Sequence, residues 1–369
     1  MSVEVVKKVI ENLDREIEER DLGTPFFSNP EYRSFPLTKE GFKTIEATEL
    51  KGKVAYVDGG NQEILGAPNF SVQVNRVYYT IFKGQERLQS RSLPQRIEFF
   101  SATHSRFSGE NIVYDTSVFP AQESFKDLMP REKDLSFDSF DRTVTIGTQR
   151  ADIARVASIA RRFAEWNYAK HVLDNVLEEG DILVVDGTLQ TAFTNESGYA
   201  LDLYKLAKNK GVAVTGLSKT SHLFTNTGLS LIGAVVKLGK DAGMENEFYV
   251  KVAEARSSDH NAVIFVVKLH PKAERAFRYE VQRELFMALD DESVGEIFFQ
   301  LVSNSRDIGF PGYPYGLVEA DQFARVRESE VTSYQILFLS QISKMGKWPK
   351  FARHIRAVDA HGHLNTLVG

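Results

Sequence analysis

The stretch DILVVDGTLQ, residues 181–190, decides the fold. Its aliphatic run, Ile182 to Val185, ends in an acid and a glycine. Short apolar runs rich in β-branched residues read as buried central strands. This strand is expected to present Asp186 at its carboxyl end, where α/β sheets open their crevice. The pattern recurs upstream as KVAYVDGG, residues 53–60, with Asp58 in the matching place. Two carboxylates 128 residues apart share one site only if their strands lie close in one sheet. Each Asp-Gly read alone is a turn signal. Read as a pair, they point to a two-metal phosphodiesterase.

Around this stretch the chain alternates between types of element. Val3, Val6, Ile10, Leu13 and Ile17 give a helix over 3–20, either a lid on its own core or a contact for a partner. Pro25, Pro30 and Pro36 mark an irregular connection over 21–50. KVAYVD, SVQVNRVYYTIF (71–82) and RIEFFSATHS (96–105) read as an antiparallel meander. The weakly periodic residues 106–150 read as a long insertion or mobile segment. A helix is expected over 150–179, stopped at Gly180, and another over 199–210, stopped at Gly211. Residues 212–221, 231–238 and 261–270 read as strands, and 272–290 and 319–345 as helices, with a turn-dense loop at 309–316. The expected architecture is α/β: a mixed sheet with helices on both faces. The expected division is 1–50 as a dimer or partner contact and 51–369 as the catalytic domain.

Composition narrows the chemistry. The 369 residues suffice for a sizeable core, and 42% hydrophobic with 26% charged residues is ordinary for a globular chain. The absence of cysteine excludes disulfides, thiolate metal sites and cysteine nucleophiles. No run reaches the roughly 18–20 apolar residues of a membrane span, and the charged start is unlike a secretory leader. A cytoplasmic location is expected. The net charge of −5 argues mildly against unaided capture of nucleic acid. No phosphate loop, dinucleotide fingerprint, zinc-protease helix or nucleophile elbow is present.

Hard divalent cations take oxygen ligands, and paired ions activate water and stabilise a leaving oxygen. Asp58 and Asp186 are the core of such a site. Glu165 stands at the edge of an apolar helical stripe; it is either a third ligand or a surface partner of Arg161 four residues earlier. Asp359, His361 and His363 form a tail that either folds back onto the site or stays solvent-exposed. Lys219 and Arg278 could hold phosphate. His270 reads as a satisfied strand-end histidine. Tyr313 and Tyr315 could stack on bases or simply pack the loop.

At this point the chain resembles the NurA family of nucleases. The resemblance is carried in order by VAYVDGG, RRFAEWNYA, ILVVDGTL, GLSKTS, VVKLHPKAERAFRYE, PGYPYGLVEAD and DAHGHL, over roughly residues 50–365. It implies an RNase H-like fold related to the Piwi domain. It implies a manganese-dependent nuclease (magnesium as an alternative), 5′-to-3′ exonucleolytic with single-strand endonuclease activity. It implies a homodimer working on DNA ends with a HerA-type hexameric translocase. Carried over by motif, Asp58, Glu165, Asp186 and His361 would hold metal, with His363 as the alternative to His361. Tyr279 stands in for the family's active-site tyrosine. Two rival readings remain: an actin-like or sugar-kinase-type ATPase, and a non-catalytic subunit that binds DNA or a motor.

Overall fold

The computed structural model describes residues 2–16 and 21–355. Asp359, His361 and His363 lie outside the described residues. The strands of five or more residues are β1 (Val54–Ala67), β2 (Phe70–Lys83), β3 (Arg96–Ser108), β4 (Asn111–Pro120), β5 (Ile182–Asp186), β6 (Ala213–Ser218), β7 (Phe248–Arg256), β8 (Asn261–Lys268) and β9 (Phe277–Gln282). The main helices are α1 (Val3–Glu16), α2 (Ile153–Ala157), α3 (Ile159–Val176), α4 (Glu196–Lys210), α5 (Leu231–Asp241), α6 (Asp291–Asn304), α7 (Tyr315–Ala324), α8 (Glu328–Lys344) and α9 (Trp348–Ile355).

The strands form one mixed sheet ordered β7-β8-β9-β6-β5-β1-β2-β3-β4, with short strands at both edges. β5 runs parallel to β1 and β6, and the other neighbours are antiparallel. Within it, β3-β2-β1-β5-β6 is a meander followed by parallel crossover strands, the core order of an RNase H-like fold. The register sets Val185 beside Val57, so Asp58 and Asp186 follow on adjacent strands.

Alternation along the strands builds a core on each face. Ala55, Val57, Leu183 and Val185 pack with Phe163, Trp166 and Tyr168 of α3. Tyr56, Ile182 and Val184 pack on the opposite face with Phe298 and Leu301 of α6 and Leu317 of α7. Each fully buried large side chain stabilises the sheet by about 1.5–3 kcal/mol. Gly316 allows α7 to lie close: a Cβ there would stand 2.0 Å from the Tyr56 ring. That approach brings the rest of α7 to β1.

Several sequence expectations are corrected. Residues 231–238 are helical, because Leu231, Ala234 and Val235 follow helical spacing and bury one face behind the Ser230 cap. Within 272–290 lies β9, whose odd positions enter the apolar core while Arg278, Glu280 and Gln282 are buried on the other face. Its charges belong to a buried polar network on a strand rather than to the helix expected there. The span 319–345 is broken between α7 and α8, and 150–179 is split at Ser158. β7 and α6 escaped the reading altogether. Residues 111–151 carry β4 and send Tyr114, Phe125, Leu135 and Val144 into the larger core.

Candidate metal centre

Asp58 and Asp186 reach the same place by different routes. Asp186 ends β5, and Gly187 turns the chain away at φ 104°. Asp58 instead sits inside β1, which continues through Gly59 and Gly60 paired with Val77 and Arg76. The second Asp-Gly is therefore neither a turn nor a strand end. Its glycines make room: a Cβ on Gly59 would lie 2.5 Å from Glu165 Oε1, and one on Gly60 2.5 Å from the Ala324 carbonyl oxygen.

A third carboxylate completes the cluster. Asp321, on α7, offers an oxygen within 4.8 Å of oxygens from Asp58 and Asp186. Lys219, just beyond β6, lies among the three. Its Nζ donates to Asp186 Oδ2 at 2.8 Å and Asp321 Oδ1 at 2.6 Å, and stands 3.9 Å from Asp58 Oδ2. Glu165, from α3, lines the same cavity of about 660 Å3, with Arg161, Arg162, Arg325, Thr188 and Thr220. Glu165 pairs with Arg161, and it also lines the cavity that the acids share. Glu196 holds the opposite side. This fully buried carboxylate accepts from Arg162 Nε at 2.8 Å, Trp166 Nε1 at 2.7 Å and the Ala192 and Phe193 amides. Arg162 in turn stands 3.6 Å from Glu165 Oε2.

The acids crowd one another, and Lys219 meets part of their charge. Burial, then Asp186 and Glu165, pushes the Asp58 carboxyl up to about 9, against the pull of Lys219. Glu165 is raised by burial and Asp186 in spite of Arg161 and Arg162. Lys219 is held above its usual value by Asp186, Asp321 and Asp58, although burial works against its charge. Clustered buried carboxylates are costly unless a cation meets them. The donor set is all oxygen, as magnesium and manganese require, so the residues present fit a divalent ion.

The remaining candidates divide. Arg278 is spent on a buried ion pair, 2.5 Å from Glu280 Oε1, outside the cavity lining. Tyr279 is fully buried in the core beside Phe298. Tyr313 is buried too, stacked on Phe310, so it offers no face to a base. Its hydroxyl has no partner, and burial followed by Asp186, Asp58 and Asp321 raises it. Tyr313 does not line the cavity that holds the acids. Tyr315 packs edge-on to Phe82, away from them. His270 is satisfied locally, its Nδ1 accepting from the Lys272 amide at 3.2 Å.

A family model described as the NurA domain matches residues 52–326. The chain belongs to the NurA family. No curated protein matches it. The crystal structure of the NurA nuclease from Sulfolobus solfataricus is similar over 94% of this chain and 99% of that one, at 14% identity and a TM-score of 0.52. A second NurA structure matches over 94% and 99% at 9% identity and a TM-score of 0.42. The Ciona intestinalis endonuclease V, crystallised with a 24-mer DNA containing an inosine followed by a ribo-adenosine, matches over 74% and 84% at 9% identity and 0.36. The first likeness establishes a shared fold. NurA membership and that fold support a nuclease role. Asp321 was missed in the sequence, yet it closes PGYPYGLVEAD, one of the stretches that resemble the NurA family.

Proposed function

We propose that this chain is a divalent-metal-dependent DNA nuclease. The convergence of Asp58, Asp186 and Asp321 around one point, with Glu165 beside them, carries the reading. Asp58, Asp186, Asp321 and Glu165 would hold the metal, joined by His361. Manganese is the favoured ion and magnesium the alternative, since an imidazole ligand suits manganese better. Bound there, divalent ions would activate water and neutralise charge on a phosphodiester. Asp58 and Asp186, fixed on adjacent strands, set the ligand spacing. Arg161 and Arg162 orient Glu165, and Lys219 and Arg325 supply positive charge for the phosphate backbone.

The wider reading follows the NurA family: 5′-to-3′ exonuclease with single-strand endonuclease activity, in DNA-end resection with a HerA-type hexameric translocase. A cytoplasmic homodimer fits it, with residues 1–50 as the contact region and 51–369 as the nuclease domain. The apolar face of α1 supports that division, since Val3, Val9, Ile10 and Leu13 are each more than half exposed. No helix among the described residues is long and apolar enough to cross a membrane.

The test is cleavage of end-labelled single- and double-stranded DNA with manganese, magnesium or EDTA. Asp58→Asn and Asp321→Asn are compared with wild type, with and without the hexameric ATPase. Degradation that needs metal and is lost in both variants supports the proposal. Equal cleavage in EDTA, or full activity in either variant, overturns it.

A further inference from the structure

The geometry points to Lys219 as a built-in counter-cation that occupies the metal position and is displaced when a divalent ion binds, freeing its ammonium for phosphate. The inference rests on the metal-nuclease reading. The observation behind it is that Lys219 takes the oxygens an ion would need. Its Nζ lies 2.8 Å from Asp186 Oδ2 and 2.6 Å from Asp321 Oδ1, with Asp58 Oδ2 at 3.9 Å. Those three residues are the set whose oxygens converge within 4.8 Å. An ion coordinated by carboxylates sits about 2.0–2.2 Å from each oxygen, so it cannot share that space with an ammonium.

Two features suit Lys219 to moving. Its stem is a flexible chain with rotatable donors, unlike the forked guanidiniums of Arg161 and Arg162. It is also more than a third exposed, so an exit toward the cavity mouth is open. Arg325 differs in kind. It meets only Asp321 among the acids, at 3.7 Å, and its side chain is 71% exposed.

The consequence is an order of events. Without metal, the ammonium offsets part of the acids' charge and bridges Asp186 at the end of β5 to Asp321 on α7. With metal, the ion takes over that task and Lys219 becomes a free cation beside Thr188 and Thr220 on the cavity wall. Phosphate contact by Lys219 is then available only in the metal-loaded site. Mutual exclusion also lowers the apparent metal affinity by the fraction of time Lys219 occupies the site.

The test is calorimetric titration of manganese chloride into the full chain, comparing wild type, Lys219→Met and Arg325→Met, with no DNA present. Lys219→Met is expected to tighten manganese binding by about tenfold or more. Arg325→Met, which removes an equal charge from the cavity wall, is expected to change it by less than about threefold. In parallel, wild type is labelled with an amine-acylating reagent and read by peptide mass spectrometry, which needs no variant to fold. Acylation of Lys219 is expected to speed up on manganese addition. Equal tightening in the two variants, or Lys219 labelling that stays level or falls with manganese, overturns the displacement while leaving the metal site standing. Failure of wild type and both variants to bind manganese overturns the nuclease reading as well.

Discussion

Adding one methyl group at Gly59 tests the site more sharply than removing a ligand. Gly59 lies inside β1, between Asp58 and Gly60 and facing Glu165, with no unusual backbone angle to protect. An added Cβ would stand 2.5 Å from Glu165 Oε1, 2.8 Å from its Cγ and 3.0 Å from its Cδ. Ordinary contact begins near 3.4 Å, so the carboxylate must retreat by about 0.9 Å (3.4 minus 2.5). It cannot swing freely, because Arg161 and Arg162 hold both of its oxygens. A displacement of this size in a catalytic group costs about 100-fold in rate. The stability effect is smaller. Overpacking costs about 1–3 kcal/mol, offset by about 0.4–1 kcal/mol from the less flexible unfolded chain. Gly59→Ala should therefore fold, melt within several degrees of wild type, and lose about 99% of manganese-dependent cleavage at saturating metal. Single-turnover cleavage of a labelled oligonucleotide, beside a thermal melt, measures both effects. A well-folded Gly59→Ala protein with wild-type cleavage would refute the claim that Glu165 acts from its present position.

Other expectations follow from the same contacts. Asp58 has a carboxyl pushed up to about 9 from 3.8, so between those values the metal-free folded chain holds a proton that the unfolded chain has released. Metal-free stability should fall as pH rises through that window. Asp58→Asn should flatten the slope in a series of melts while abolishing cleavage. Glu280 behaves in the opposite sense: burial would raise it, but Arg278 and His260 bring it down to about 2 from 4.5. Its contribution should be complete above pH 4.5 and fade as pH drops toward 2, and Glu280→Gln should cost about 3–5 kcal/mol in denaturant unfolding. Glu319 ties α7 to β2 through Tyr78 at 2.8 Å, and to the short strand after it (Glu86–Leu88) through Arg87 at 2.9 Å. Glu319→Ala should loosen Asp321 and weaken manganese binding about 10-fold or more in a metal titration. Arg76 donates to the Arg325 carbonyl oxygen at 2.9 Å and pairs with Glu98 and Glu330. Arg76→Met should lower the melting temperature, because it removes the buried guanidinium that joins Glu98, Glu330 and the Arg325 carbonyl.

The parts of this molecule legible in the sequence are those where chemistry and local pattern coincide. Asp58 and Asp186 end or interrupt short apolar runs, and the parallel pairing of β1 with β5 follows from treating those runs as one kind of strand. Glu165 was legible as an acid out of place on an apolar stripe, and Lys219 as a charge just beyond a buried strand. Asp321 was not. It sits on a helix among Glu319, Gln322 and Arg325, where an acid normally faces water, and nothing local says that Gly316 lets this helix lie against Tyr56. Of the two readings the sequence allowed for Tyr313, base stacking or loop packing, the structure shows packing, with its ring stacked on Phe310. Strand β9 failed for a different reason. Its charged face is buried because segments flanking the neighbouring strands deliver partners: His260, just before β8, meets Glu280 Oε2 at 2.9 Å, and the Leu189 amide, after β5, meets the same oxygen at 2.8 Å. That second bond ties the charged face of β9 to the turn after Asp186. Charges within a span read as a helix thus help to hold the loop that follows Asp186. A period-based reading misses such residues because their partners come from the sheet order rather than from their neighbours in sequence.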